Sequence, residues 1–299
     1  MISELRATIE AIAGDTALYE ERNVALRAEA LEQIDVELID RVAGMRAEPH
    51  PPAGLQAVLD RAEQVRRELE GVDAALFTRI RARIRAGVCR GPAFLRLLRA
   101  YFGRDLGTAR GQQALGYDSL DLFVNGLFGI REVPAETCAR EPEMVAYQKT
   151  PARVIIELAV RARLTPADVF YDLGSGLGQV PILVHLLSGA TSHGVEIEPA
   201  FCELARACAA TLGLTQVTTH NVDARTADYS AGNVFYLYTP FEGAILRTVL
   251  ERLREVARGR NITVAAYGPC VAEIARQDWL ASHDNARSAR SGLSLFRGR

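Results

Sequence analysis

Residues 168–179 read Asp-Val-Phe-Tyr-Asp-Leu-Gly-Ser-Gly-Leu-Gly-Gln. Val169, Phe170 and Tyr171 form a short apolar run of the kind found in a buried parallel strand. Asp172 closes the run, and Gly174-Ser175-Gly176-Leu177-Gly178 then makes a tight glycine-rich turn. From Gln179 to Leu187 the apolar pattern becomes helical, through Val180, Ile182, Leu183, Val184, Leu186 and Leu187. Strand, glycine turn and helix start together build a nucleotide-type crevice. Glycine lets backbone approach a ligand, and the helix N-terminus offers unsatisfied N–H groups.

The spacing of the glycines selects among ligands. A dinucleotide fingerprint is G-x-G-x-x-G, with its pyrophosphate on the helix N-terminus. This chain has G-x-G-x-G, and Asp172 lies two residues before the first glycine. A carboxylate there repels a pyrophosphate and attracts a cationic amino group. Asp172 through Gly178 resembles the first motif of class I S-adenosylmethionine-dependent methyltransferases, (Asp/Glu)-x-Gly-x-Gly-x-Gly, at every fixed position. The resemblance implies S-adenosyl-L-methionine as cofactor, with Asp172, Gly174 and Gly176 along its methionine portion.

Further residues fall at matching places. His193-Gly-Val-Glu-Ile-Glu198 reads as a second strand, with Pro199 opening a helix. Glu196 lies 24 positions after Asp172 and can accept from ribose hydroxyls. Glu198 is the weaker candidate for that role. A third strand ends near His220 or Asn221, and beyond it Asp223 resembles the family's acidic residue that meets the adenine amino group. Val234–Tyr238 is a fourth strand, closed by Tyr238-Thr239-Pro240-Phe241. These four residues resemble the (Asn/Asp/Ser)-Pro-Pro-(Tyr/Phe) motif of amino-methyltransferases and are expected to face the methyl acceptor, though Tyr238 replaces the usual first side chain. Tyr238, Glu242, Tyr147 and Tyr267 are candidate bases by position.

A narrower resemblance covers residues 141–187. It is to the non-SET histone-lysine methyltransferases of the telomeric-silencing type, whose turn reads Asp-Leu-Gly-Ser-Gly-x-Gly-Gln after a Tyr-Gly-Glu-(Thr/Ser) cofactor loop. Asp172 to Gln179 fits that turn, Ser175 included, and Tyr147 and Thr150 fit the loop. Lys149 stands where the family has an acidic residue.

The 299 residues, 48% of them apolar with a mean hydropathy of +0.02, suit a well-buried globular protein. No run approaches membrane-spanning length and the first residues carry no apolar signal core, so a cytoplasmic protein is expected. The five cysteines share no metal-type spacing and the five histidines form no ligand cluster, so neither a disulfide framework nor a metal is expected. Cys270 reads as an inert buried thiol.

Long helical patterns dominate before residue 130. They run over Leu18–Met45, broken by Pro49–Gly54, then over Leu55–Leu69, Val72–Val88, Pro92–Phe102 and a short helix in 116–128 capped near Asp118 or Ser119. After it, Gly243–Val256 reads as a helix, Asn261–Tyr267 as a fifth strand and Val271–Arg276 as a short helix. Trp279-Leu280 and Ser291–Phe296 can supply the antiparallel closing strands that the methyltransferase resemblance implies. The expected fold is α/β: a doubly wound, Rossmann-like, mostly parallel sheet over 131–299 with an all-helical domain over 1–130.

Charge is split within the helical part. Residues 1–75 hold 16 acids and 8 arginines, whereas residues 79–110 hold nine arginines and one acid. The two nets nearly cancel and the pI is about 6.3, so the arginines are expected to be a solvated flank paired with neighbouring acidic helices. The expected partner is a protein or small-molecule methyl acceptor, not nucleic acid or membrane, with the N-terminal helices as a candidate homodimer surface. Two alternatives stand beside this reading. One is a non-catalytic scaffold that keeps the cofactor fold, and the other is a nicotinamide-dinucleotide enzyme.

Overall fold

The computed structural model describes residues 2–36, 41–46, 53–104, 106, 117–283 and 292–299. Seven strands form one sheet. They are β1 (Val169–Leu173), β2 (Thr191–Glu196), β3 (Val217–Asn221), β4 (Val234–Leu237), β5 (Thr263–Tyr267), β6 (Leu280–Ser282) and β7 (Leu293–Gly298). Their order is β3-β2-β1-β4-β5-β7-β6, with β1 to β5 parallel and β7 antiparallel to both neighbours. The chain winds outward from β1 to β3, then returns to place β4 on the other side of β1. That reversal opens a crevice at the carboxyl ends of β1 and β4, where ligands of open α/β sheets bind.

Period-two alternation sends side chains to two cores. Phe170, Val234, Tyr236 and Ala265 face one core with helices α7 (Ala152–Arg161), α8 (Gln179–Ser188) and α9 (Pro199–Thr211). Tyr171, Leu173, Phe235, Leu237, Val264 and Ala266 face the other, with α10 (Gly243–Gly259) and α11 (Val271–Ala275). Asp172 shares the first face, opposite Gly194 of β2 and Tyr236 of β4. β4 ends one residue earlier than its apolar run, because Thr239 takes φ = 42°. This left-handed backbone is rare for a β-branched residue and turns the chain out of the sheet.

The helical half comprises α1 (Ile2–Gly14), a 3₁₀ turn at Thr16–Tyr19, α2 (Val24–Gln33), α3 (Arg41–Arg46), α4 (Leu55–Arg85), α5 (Pro92–Phe102) and α6 (Ser119–Phe128). α6 begins as expected, with Asp118 and Asp121 forming a reciprocal capping box. Two expectations are corrected. The periodicity from Leu18 to Met45 is not one helix but the end of the 3₁₀ turn, α2 and α3; Leu38 of that pattern lies outside the described residues. Conversely, the segments 55–69 and 72–88 join in α4, where Gly71 passes through without a break. Its glycine cost of about 1 kcal/mol is outweighed by apolar stripes on both sides.

Arg27 explains the first correction. Its side chain is fully buried, and its guanidinium donates to the carbonyls of Leu18 (2.8 Å), Glu20 (3.0 Å) and Glu21 (3.4 Å) while pairing with Asp73. Those carbonyls are satisfied without continuing a helix, so the chain can turn at 20–23. Arg27→Met removes four interactions from a largely buried site. It is expected to cost about 3 kcal/mol, because it leaves the partly buried Asp73 carboxylate and the carbonyls of Leu18 and Glu21 without this donor. Urea titration should show this as a lower midpoint at unchanged slope.

The apolar core does not divide at residue 130. Leu5 to Leu69 enclose a small core of their own, whereas Leu76, Phe77, Ile80 and Ile84 of α4 join α5 and α6 against the helices of the sheet's first face. The division at 130 is one of secondary-structure type, and α6 is packed against α7 as well as α2 and α4.

Of the arginines of 79–110, expected to pair with acidic helices, Arg79 pairs with an acid, Glu21, in the turn before α2. Arg81 instead donates to the carbonyls of Leu127 (2.8 Å) and Gly126 (2.6 Å), and Arg85 to that of Thr211 (2.9 Å). Both hold the carbonyl ends of helices, where cations are favoured. Arg83, Arg96, Arg99 and Arg104 are exposed, and Arg110 lies outside the described residues. No helix among the described residues is long and apolar enough to cross a membrane. No cluster of potential metal ligands occurs among them either.

Candidate active site

The glycine turn is fixed to β2 before any ligand is considered. The N–H groups of Gly174 and Ser175 both donate to Val195 O, at 2.8 and 3.0 Å, and Gly178 N donates to Ser175 O at 2.9 Å. Gly174, Gly176 and Gly178 have φ of 78°, 51° and 76°, a region that costs any other residue strain. Neighbours use the missing side chains. A Cβ on Gly174 would fall 2.2 Å from Pro240 Cβ, and one on Gly176 would fall 2.3 Å from the Tyr147 ring. The motif at the end of β4 and the loop at Tyr147 therefore both rest on the turn.

A cleft opens there, enclosing about 1080 Å³ with its mouth included. Of the residues singled out from the sequence, Tyr147, Thr150, Asp172, Gly174, Ser175, Gln179, Glu196, Asp223, Tyr238, Thr239, Pro240 and Phe241 line it together. Gly176 lies beneath Tyr147. Glu242, named as a candidate base, is exposed and not part of the lining.

Asp172 is 3% exposed, and no described group hydrogen-bonds to its carboxylate. Burial and, secondarily, the nearby Glu196 push its carboxyl well above the usual range. Beside it, Ser175 Oγ is also buried without a partner. An unpaired carboxylate and an orphaned hydroxyl in one cleft are costly in an empty protein and are suited to a polar, cationic ligand.

Glu196 is better supported. Its two oxygens accept from Gly176 N (2.8 Å) and Glu198 N (2.9 Å), so it also holds the turn, and each oxygen keeps a lone pair. Burial nevertheless raises its carboxyl. Asp223 is clasped by Arg225 through Nε (3.1 Å to both oxygens) and Nη2 (2.6 Å), which pulls its pKa down. Arg225 reaches on to Glu141 (3.1 Å through Nη1), tying the end of β3 to the segment before α7.

Sequence reasoning named Tyr147 and Thr150 of that segment but not the course of the rest. Residues 136–150 cross the carboxyl edge of the sheet as a strap and supply much of the cleft wall. Glu198 anchors one end. Its carboxylate accepts from Thr137 N (2.8 Å), Thr137 Oγ1 (2.6 Å), Cys138 N (2.8 Å) and Ala200 N (3.1 Å). These donors outweigh burial and bring its pKa down to about 2. The signal in the sequence was Glu198 before Pro199, an acid at a helix N-cap. Glu143 anchors the strap's middle on the first turn of α10, accepting from Ile245 N at 2.9 Å. Just beyond it, Val145 N donates to Pro240 O at 3.0 Å and Met144 bridges to Phe241.

At the β4 edge, Thr239 turns its hydroxyl inward, donating to Tyr267 O (3.1 Å) and accepting from Cys270 N (3.2 Å). Phe241 packs into the core. Tyr238 is half-buried, with its ring centroid 4.7 Å from that of Tyr267. Burial raises the pKa of Tyr147, Tyr238 and Tyr267, so these phenols stay protonated at neutral pH. Cys270 is buried, and its thiol pKa is raised, as suits an inert core cysteine.

Residues 143–233 match the family model described as "Histone methylation protein DOT1". The cofactor region is DOT1-like. The sheet that carries it has five parallel strands and an antiparallel β7. Solved structures give partial likenesses. An RNA methyltransferase from Salinibacter ruber, in complex with S-adenosyl-L-homocysteine, is 24% identical over 50% of this chain and 92% of its own, with a TM-score of 0.40. A geranyl diphosphate C-methyltransferase from Streptomyces coelicolor A3(2) is 14% identical over 45% of this chain and 71% of its own, at 0.33. An S-adenosylmethionine-dependent methyltransferase from Geobacter sulfurreducens is 25% identical over 37% of this chain and 46% of its own, at 0.30. No curated protein sequence matches the chain.

Proposed function

We propose that the chain is an S-adenosylmethionine-dependent methyltransferase acting on a nitrogen or oxygen nucleophile of a protein side chain or small metabolite. The observation that carries this reading is the buried, unpartnered Asp172 carboxylate against a glycine turn that offers no room for side chains. Asp172 would hold the amino group of the cofactor's methionine portion, with Ser175 Oγ beside it. Glu196 would accept from the ribose hydroxyls. Asp223, fixed by Arg225, would meet the adenine amino group. S-Adenosylmethionine, when bound, supplies an electrophilic methyl group on a sulfonium.

The chain's own contribution is alignment and exclusion of water. The strap and Tyr147 cover the turn, and the Tyr238–Phe241 corner walls the acceptor side. With its tyrosines held protonated, the site is suited to a nucleophile that arrives already deprotonated, and positioning carries most of the acceleration. The DOT1 match over the cofactor region favours a protein side chain as acceptor.

Calorimetry tests the central claim. Both S-adenosylmethionine and S-adenosylhomocysteine are expected to bind at a single site, and NADH is not. Binding of NADH alone would establish the dinucleotide alternative. Cofactor binding without transfer of labelled methyl to protein or metabolite acceptors would establish the scaffold.

A further inference from the structure

Helix α6 is packed on α2 and α4, yet its polar side chains end on the loop that covers the glycine turn. Asp121, buried in its first turn, accepts from Ala152 N at 3.0 Å and pairs with Lys149 Nζ at 3.2 Å. Its second oxygen accepts from Asp118 N at 3.1 Å. Tyr117, just before the helix, donates its hydroxyl to Lys149 O at 2.7 Å, and its ring lies 4.6 Å from Lys149 Nζ. One turn further on, Asn125 Oδ1 accepts from Gln179 Nε2 at 2.5 Å, and Gln179 Oε1 accepts from the Tyr147 hydroxyl at 3.0 Å. The Tyr147 ring is the group that closes over Gly176.

The loop is thus gripped twice from one helix: at Tyr147 through Gln179 and Asn125, and at Lys149 to Ala152 through Tyr117 and Asp121. We propose that α6 is a positioning element for the cofactor loop, with Asp121, Asn125 and Lys149 as the positioning residues, so that the helical half sets cofactor affinity. The inference rests on the S-adenosylmethionine reading above. Its physical basis is the low exposure of the ion pair, 16% for the Lys149 side chain and 3% for Asp121. Removing one partner leaves the other charge buried and unpaired, so the loop must open to hydrate it. Lys149, the residue that departs from the family's loop, thereby acquires a role in fastening the loop to α6 while it also lines the cleft.

The test uses the full chain and the variants Lys149→Met, Asn125→Ala and Lys149→Arg. S-Adenosylhomocysteine affinity is read by calorimetry and loop order by amide exchange over 146–150. Lys149→Met and Asn125→Ala are each expected to weaken binding about tenfold or more. Exchange should rise in the loop and stay unchanged in β1 to β5. Lys149→Arg should recover most of the affinity, because the charge is kept. Lys149 is the only lysine of the chain. An amine-acylating reagent followed by peptide mapping therefore reports on it alone among side chains, and bound S-adenosylhomocysteine is expected to slow that labelling. Wild-type affinity in both loss variants, or exchange that rises equally throughout the sheet, overturns the proposal. A wild-type chain that binds neither cofactor form overturns the cofactor reading itself, and this proposal with it.

Discussion

Asp172→Asn is expected to weaken S-adenosylmethionine binding on the order of 100-fold, equivalent to about 3 kcal/mol, while making the free protein more stable at neutral pH. Both effects come from one carboxylate. In the free protein Asp172 is buried, has no donor and sits near Glu196, and its pKa is raised above the unfolded value. The native state therefore holds a proton at pH values where the unfolded chain has lost it. Stability from this group is greatest below the unfolded pKa of about 3.9 and falls as pH rises through the folded value. Asparagine removes that loss, so the thermal midpoint of Asp172→Asn should exceed the wild type's above the folded pKa of Asp172. The cofactor's ammonium needs the charged form. Affinity should rise with pH through the raised pKa and then level, and binding below it should release protons. Calorimetry in buffers of different ionisation enthalpy reads that release directly. Unchanged affinity in the variant, or no proton release at any pH, would remove Asp172 from the cofactor site.

Gly174→Ala is expected to cost about 4 kcal/mol and to abolish cofactor binding. A left-handed backbone costs an alanine about 1 kcal/mol, and overpacking a close contact adds up to about 3 kcal/mol. Pro240 has no room to yield to the new methyl group 2.2 Å from its Cβ. Thr239 before it is tied to Tyr267 and Cys270, Pro240 O holds Val145, and Phe241 after it is bridged to Met144. Displacing Pro240 therefore loosens the strap and the acceptor corner together. Gly87→Ala is the control, because its φ of 73° is similar and nothing lies within 4 Å of the added Cβ. Urea titration of both variants separates the two costs: only the backbone cost is expected at Gly87. Equal losses at the two positions would show that the Pro240 contact is unimportant.

The parts legible in the sequence are those governed by short-range rules. The run Val169–Tyr171, the glycine spacing and the helix after Gln179 specify β1, the turn and α8, because strand periodicity and left-handed glycines are local properties. The two last strands were marked by short apolar runs near the end of the chain, but their antiparallel direction came from the family resemblance. The break of Leu18–Met45 was not. It depends on Arg27 reaching Asp73, 46 residues away, and a charged residue in a helical pattern reads as solvent-facing until its partner is known.

The same limit applies at the site. Asp172, Glu196 and the Tyr238–Phe241 corner could be found from position alone, since the carboxyl ends of parallel strands must meet at one edge. What each side chain does there was decided by tertiary contacts. Thr239 turns its hydroxyl into the sheet, Asp223 is clasped by Arg225, and Glu198, the weaker candidate, fastens a strap that begins 61 residues earlier at Thr137. Lys149 illustrates the difference best. By sequence it is a departure from a loop motif, and in the fold it is half of a largely buried ion pair with Asp121 of α6, 28 residues earlier. Local sequence determined the crevice because φ, periodicity and helix capping act over a few residues. Only the tertiary structure decided what covers that crevice, because burial and pairing of charge depend on residues far apart in sequence.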